Sequence, residues 1–174
     1  QIKDLNELGQ TTILLSIENQ LVALFAFTDI LKIDATNTIT SLHKMGKNTI
    51  LISGDNKYAT KQAANSAGFK KYISELYPKE KSNYIVNLQN EGKTVCMVGD
   101  GINDAPSLAQ ANISIAMGSG TDVAIQAADI TLTNDRLSKI IYAIRISKTT
   151  MKIIKQNLLL ASIYNLALIP IAAG

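Results

Sequence analysis

Cysteine, histidine, proline and tryptophan are the scarce residues of this 174-residue chain: one Cys, one His, three Pro and no Trp. A lone cysteine, Cys96, excludes an intrachain disulfide and any Cys-x-x-Cys metal or redox pair. Its place in an apolar run marks it as core rather than reactive. A lone histidine, His43, has no partner for a metal site or a triad and is expected at the surface. Acidic residues stop at Asp135. After it come Arg136, Lys139, Arg145, Lys148, Lys152 and Lys155, so the tail is +6. The eleven basic and fourteen acidic residues before it leave residues 1–135 at −3. A basic tail can mean nucleic acid, but this one leads into an apolar stretch, which fits a membrane flank and no nucleic acid. Charged residues are only 18% of the chain against 47% hydrophobic, which excludes disorder and allows one domain with a real core. The chain opens on Gln1 with no signal sequence behind it, so a piece of something longer is expected.

What is there is organised around Val95-Cys-Met-Val-Gly-Asp-Gly-Ile-Asn-Asp-Ala-Pro106. Thr94 to Val98 is a short apolar run that reads as a buried strand. It stops at Gly99-Asp100-Gly101, and Asn103 or Asp104 is then placed to cap a helix with Pro106 in its first turn. Carboxylates are thus presented past the carboxyl end of a strand, where open α/β sheets bind ligands. Asp100 and Asp104 on a glycine turn suit a hard cation such as Mg²⁺. An acidic surface turn is the plain alternative for so short a motif. A calcium loop fits less well, because the EF-hand spacing fails and its final Glu position is Ala111.

Along the chain, residues 1–8 read as the end of a helix closed by Gly9. Thr12–Ile17 and Leu21–Thr28 read as strands joined by Glu18-Asn19-Gln20, with a boundary following at Asp29. Asp34 is the expected cap of a helix carrying Ile39, Leu42 and Met45 on one face, closed by Gly46. Thr49–Ile52 is a strand ending at Ser53-Gly54-Asp55. An Ala-rich helix to Gly68, a short strand near Lys71–Ser74 and a helix from Pro78 to Gly92 follow. Ile113–Ala116 and Ile130–Leu132 are further strands, separated by Met117-Gly-Ser-Gly-Thr-Asp122 and a short helix. This alternation predicts an α/β fold with a parallel, Rossmann-like sheet. From Arg136 the pattern is one long helix, uncharged from Gln156 to Gly174. That length is close to the ~20 residues that cross a bilayer, with the basic flank on the cytoplasmic side. A buried core helix is the alternative.

Three strand ends can converge in such a sheet. Ser53 offers a hydroxyl and neighbouring amides to a phosphoryl group, Lys81 a positive charge, and Asp100 a ligand for Mg²⁺. Singly, Ser53 is a turn residue and Lys81 a solvated helix lysine. In the order Ser-Gly-Asp, Pro-x-x-Lys, Gly-Asp-Gly-x-Asn-Asp they are far more specific. That order resembles the haloacid-dehalogenase superfamily, and more closely the phosphorylation domain of heavy-metal-transporting P-type ATPases. The resemblance spans essentially the whole chain and is strongest at Leu51–Asp55 and Val98–Ile130. It implies that residues 1–28 end a nucleotide-binding domain and residues 29–135 form the second half of a phosphorylation domain. Residues 136–155 would be a basic linker helix and residues 156–174 a transmembrane helix. It implies that Ser53, Gly54 and Asp55 face an aspartyl phosphate and that Lys81 neutralises phosphate. Asp100 would hold Mg²⁺, with Asn103 and Asp104 completing that motif and Asp104 beside the metal. Asp29 matches the start of a hinge motif in which Lys32-Ile33 replaces the usual Arg-Pro.

Three family motifs are absent: Asp-Lys-Thr-Gly with the phosphorylated aspartate, the His-Pro of the nucleotide domain and the intramembrane Cys-Pro-Cys. Without the nucleophile the chain cannot form the covalent intermediate by itself. It is expected to be a carboxy-proximal fragment, inactive alone, of an ATP-driven efflux pump. Asn157, Tyr164-Asn165 and Pro170 are spaced as in the copper(I) branch, which implies Tyr164 and Asn165 as copper ligands. The zinc/cadmium branch carries a Lys in this helix, and a second copper branch has Gly where Ile163 stands. Ligand chemistry alone does not choose copper, because phenol and amide oxygens are not soft donors. The implied cofactors are Mg²⁺ and ATP, the latter held mainly by the missing part. The implied partners are the membrane, the rest of the transporter chain and a copper chaperone. The implied location is a multi-pass cell-membrane protein with residues 1–155 cytoplasmic. Competing readings are a zinc/cadmium pump fragment, a soluble phosphatase of the superfamily, which lacks its Asp-x-Asp here, and a non-catalytic membrane-tethered module.

Overall fold

Short apolar runs separated by helical stretches with one buried stripe fold here as alternating strands and helices. The computed structural model describes residues 2–7, 9–100, 102–118, 120–172 and 174. Gly101 of the organising turn, Ser119 of the second glycine loop, and Gln1 and Leu8 at the first helix lie outside the described residues. The chain forms two units, residues 1–138 and residues 139–174.

The first unit opens with α1 (Ile2–Glu7) and the antiparallel pair β1 (Thr11–Ile17) and β2 (Gln20–Phe27). Ile17 faces Gln20, so the turn has two residues and not the three expected. Glu18 and Asn19 take φ of 46° and 63°, the positive values that a tight hairpin needs to match strand twist. Both faces of the hairpin are apolar: Ile13 stands opposite Phe25 on one and Leu14 opposite Leu24 on the other. α2 (Ala35–Lys44) follows, burying Ala35, Thr38 and Ile39.

β3 (Ile50–Ile52) then pairs in parallel with β4 (Lys71–Ile73) across α3 (Lys57–Ala67). α4 (Pro78–Asn90) leads to β5 (Cys96–Gly99), β6 (Ile113–Ala116) and β7 (Ile130–Thr131), parallel in the order β5-β6-β7. α5 (Ala105–Gln110) and α6 (Asp122–Gln126) make the crossovers. The fold is α/β and its sheet parallel, as the alternation predicts. It comes in two pieces, because β3 and β5 do not pair and each keeps an open edge among the described residues. Ile85 of α4, Met97 of β5, Leu108 of α5 and Ala124 of α6 form one buried cluster, and Ile52 of β3 packs against it. The site loops at the ends of β3 and β5 therefore rest on a shared core.

The second unit is α7 (Ser138–Ala172) from Lys139 onward. Among the described residues, Ser138–Ile171 is the one helix long and apolar enough to cross a membrane. Leu158, Leu159, Leu160, Ile163, Leu166 and Ile169 are all exposed, on every side of the helix. By length and composition such a helix is able to cross a membrane. The Ser162 hydroxyl donates to the Leu158 carbonyl at 2.9 Å, satisfying itself within the helix.

Three side chains sit differently from expectation. Cys96 begins the edge strand β5 and is exposed, not core. Partial desolvation of its thiol, and secondly the charge of Asp129, still push its pKa up. His43 is half-buried and not fully at the surface, its Nε2 pairing with Thr49 Oγ1 at 2.8 Å. Asp34 precedes α2 but makes no capping bond there; its Oδ2 accepts the Ser138 amide at 2.8 Å.

Candidate active site

The site grows from the carboxyl ends of β3 and β5. Beyond β3, the Ser53 amide donates to the Ile73 carbonyl at 2.9 Å, prolonging the ladder by one step. The Ser53 hydroxyl donates to Asp55 Oδ2 at 2.6 Å and accepts the Asp55 amide at 3.1 Å. Ser53, Gly54 and Asp55 thus make a closed hydroxyl–carboxylate turn. A Cβ at Gly54 would stand 3.3 Å from the Leu76 carbonyl, and the Leu76 amide donates to the Ser53 carbonyl at 3.0 Å. That contact ties the Ser53 turn to the start of α4. There the Glu80 carboxylate accepts the Tyr77 amide at 2.8 Å, with Pro78 in the first turn, and fixes the helix that carries Lys81.

Lys81 is not a solvated lysine. Its Nζ lies 2.9 Å from Asp104 Oδ1, and the two side chains are only 13% and 15% exposed. Asp104 reaches there across Gly99, where a Cβ would meet the Asp104 Cβ at 2.8 Å. Glycine at the end of β5 is required for this approach. Asp104 stands in the N-cap position of α5 but forms no capping bond, because its carboxylate is committed to Lys81. Removing one partner of a pair this buried costs about 3 kcal/mol, since the other charge is left desolvated.

Asp100 follows β5 with its side chain exposed, free of any hydrogen bond or ion pair among the described residues. Asn103 is exposed on the single turn of tighter helix Ile102–Asp104. The backbone of the strand end is held by the loop after β6. The Met117 amide donates to the Gly99 carbonyl and the Thr121 amide to the Asp100 carbonyl, both at 3.0 Å. The sequence places this loop between two strands without giving it a role; the signal for one is the paired glycines of Met117-Gly-Ser-Gly. Asp104 meets Lys81 on one side and Gly99 on the other, Asp100 follows Gly99 in the chain, and Ser53 and Asp55 form their own turn joined through Leu76. Tyr164 and Asn165 belong to the other unit, both exposed on α7.

No three His, Cys, Asp or Glu side chains among the described residues cluster tightly enough to hold a metal alone. Asp100 and Asp104 offer only oxygen donors. One or two carboxylates completed by water and substrate phosphate is how Mg²⁺ is usually held, so the donor set fits that ion and not a thiolate metal.

Residues 1–112 match the family model described as haloacid dehalogenase-like hydrolase. The chain is 46% identical over 166 residues to copper-transporting ATPase 2 of Mus musculus, covering 95% of this chain and 11% of that protein. It is 43% identical over 173 residues to the copper-exporting P-type ATPase of Staphylococcus epidermidis, covering 99% and 22%. Among solved structures it matches a zinc-transporting PIB-type ATPase in the E2.Pi state with a TM-score of 0.77 at 36% identity, over 90% of this chain and 26% of that one. The chain thus spans about a tenth to a quarter of the length of these relatives. With its matched region taking in the Ser53 turn, Lys81 and the Asp100–Asp104 loop, the chain belongs to the haloacid dehalogenase-like hydrolases.

Proposed function

We propose that the chain is the carboxy-proximal part of a copper(I)-exporting P-type ATPase that works through an aspartyl-phosphate intermediate. The observation that carries this is the Lys81–Asp104 pair seated over Gly99, one residue from the exposed Asp100, at the carboxyl end of a parallel strand. Residues 29–135 are then the second half of the phosphorylation domain and residues 1–28 the last strands of the nucleotide domain. The open edges of β3 and β5 support the division. A single strand pairing to both, supplied by the remainder of the chain, brings its carboxyl end between Ser53 and Asp100. An aspartate there attacks the γ-phosphorus of ATP, forming an acyl phosphate as the bond to ADP breaks. The Lys81 ammonium offsets the phosphoryl charge, and the Ser53 hydroxyl and its neighbouring amides orient the phosphoryl oxygens. Asp100 would hold Mg²⁺ with Asp104 beside it, and that ion supplies further positive charge to the phosphoryl oxygens.

The copper cargo rests on the names of the relatives and on the spacing of Asn157, Tyr164-Asn165 and Pro170. A zinc cargo is the second reading, favoured by the zinc-transporting structural neighbour. The membrane and the rest of the transporter are partners in either case, and a copper chaperone in the first. Asp100→Asn in the intact transporter tests the site. Phosphoenzyme formation from ATP is expected to be abolished; near-normal phosphorylation at ordinary Mg²⁺ sinks the assignment.

A further inference from the structure

Gly118 and Gly120 raise a question that conformation does not answer. Neither takes a positive φ, unlike Gly9, Gly46, Gly68 and Gly92, so backbone freedom is not why glycine stands there. Room is. A Cβ on Gly118 would stand 2.2 Å from the Leu132 carbonyl oxygen and 2.9 Å from the Thr133 carbonyl carbon. A Cβ on Gly120 would stand 2.8 Å from the Met117 carbonyl oxygen, 3.0 Å from the Asp100 carbonyl oxygen and 3.4 Å from the Asp100 Cα. All these neighbours are backbone atoms, which cannot rotate aside. The loop is wedged, with the segment after β7 behind it and the Asp100 backbone in front.

The same loop grips what it touches. The Met117 amide holds the Gly99 carbonyl and the Thr121 amide the Asp100 carbonyl, each at 3.0 Å. The Gly120 amide closes the loop on the Met117 carbonyl at 2.8 Å. Thr121 then caps α6 through the Ala124 amide, and Ala124 is fully buried in the core cluster. The Asp100 carbonyl is thereby anchored to the core through Thr121. No other described residue bonds its carboxylate, whose position is set through that backbone.

We infer that Gly120 is a positioning residue for Asp100: its bare Cα sets how closely the Thr121 amide engages the Asp100 carbonyl, and so where the Asp100 carboxylate meets a divalent cation. This rests on the reading of Asp100 as the Mg²⁺ carboxylate. A methyl at Gly120 must push the Asp100 backbone outward by a few tenths of an ångström or break its bond to Thr121. Displacements of about 1 Å cost about a hundredfold at a reacting centre, so roughly tenfold is expected here.

The test is Gly120→Ala, read two ways. In the intact transporter, the Mg²⁺ concentration giving half-maximal phosphorylation is expected to rise about tenfold. The maximal phosphoenzyme level at saturating Mg²⁺ and the ATP requirement stay near normal. In the 174-residue chain itself, amide hydrogen exchange is expected to quicken at Thr121 while the amides of β6 and α6 keep their protection. An unchanged Mg²⁺ requirement overturns the inference, as does a fall in maximal level with protection lost throughout α6, which marks a merely structural glycine. If the variant does not accumulate, Mg²⁺ added to the wild-type intact transporter reads the same strut. Slower exchange at Thr121 supports it, and no change there overturns it. Asp100→Asn separates the two failures. If that variant phosphorylates normally, the Mg²⁺ reading falls; if it is dead while Gly120→Ala is normal, only the present inference does.

Discussion

Asp129 shows what one carboxylate does at the far end of the sheet from the site. Its Oδ2 accepts the Ser114 amide and the Ser114 hydroxyl, each at 2.8 Å, and its own amide donates to that hydroxyl oxygen at 2.9 Å. Ser114 is buried in β6, so these bonds fasten the entry to β7 onto its neighbour. The Ser114 hydroxyl, followed by its amide, holds the Asp129 pKa below its ordinary 3.8. A depressed folded pKa means the bonds stabilise the fold above the unfolded value and release it as pH falls through the folded one. Asp129→Asn is therefore expected to lower the melting temperature at neutral pH, with the gap closing as pH falls below the ordinary 3.8 and on through the depressed folded value. Thermal unfolding of both proteins across that range checks it; a constant gap at every pH removes the carboxylate's charge from the account. Asp34 behaves alike: burial raises its pKa, but the Ser138 amide and hydroxyl and the Leu137 amide outweigh it and leave it lowered.

At the scale of elements, α3 is held by its ends. Only Thr60, Ala64 and Ala67 of this helix are buried, so packing gives it little, and its caps carry more weight. Asn56 accepts the Ala59 amide at 2.9 Å, and Gly68 takes φ 87° to close the other end. Asn56→Ala and Gly68→Ala are each expected to cost about 1 kcal/mol, the first by losing a cap and the second by forcing a side chain into left-handed backbone. Urea unfolding of the full chain measures both, and an unchanged midpoint in either denies that cap its role. The Gly68 end was legible in the sequence, as the glycine closing an Ala-rich run; the Asn56 cap was not singled out there. The strands were legible, from their apolar runs. The Asp104 position was legible only in part. Sequence offers its carboxylate a nearby amide to cap, and nothing local reveals that Lys81, on α4, wins it. The split between β3 and β5 was not legible at all, because alternation gives strand direction but not which strands are neighbours. The wedge at Gly118 and Gly120 escaped for a similar reason: glycine spacing does not say which backbone lies opposite.

Across the whole molecule, charge and apolarity are segregated along the chain. Residues 1–135 are acidic and mostly fold around cores; the tail is basic and then uncharged from Gln156 to Gly174. At a rise of 1.5 Å per residue that uncharged stretch is about 28 Å long, close to the hydrocarbon thickness of a bilayer. Lys148, Lys152 and Lys155 lie just before it, and positive residues flanking a span favour the cytoplasmic side. If that stretch spans a bilayer, Tyr164 and Asn165 fall near mid-span, and an amide at that depth is costly unless it meets other helices or an ion path. The two are about 100° apart on the helix, so they share one side only loosely and Asn165 is given the greater weight. If they line the path of the transported ion, Asn165→Ala in the intact transporter lowers copper-stimulated turnover. Phosphorylation by inorganic phosphate, the metal-free back reaction, then stays largely intact, because Ser53, Lys81 and Asp100 are untouched. Copper stoichiometry and turnover, measured beside that back reaction, decide the matter. If neither changes, copper loses its support in this helix, and zinc, the cargo of the structural neighbour, becomes the better assignment.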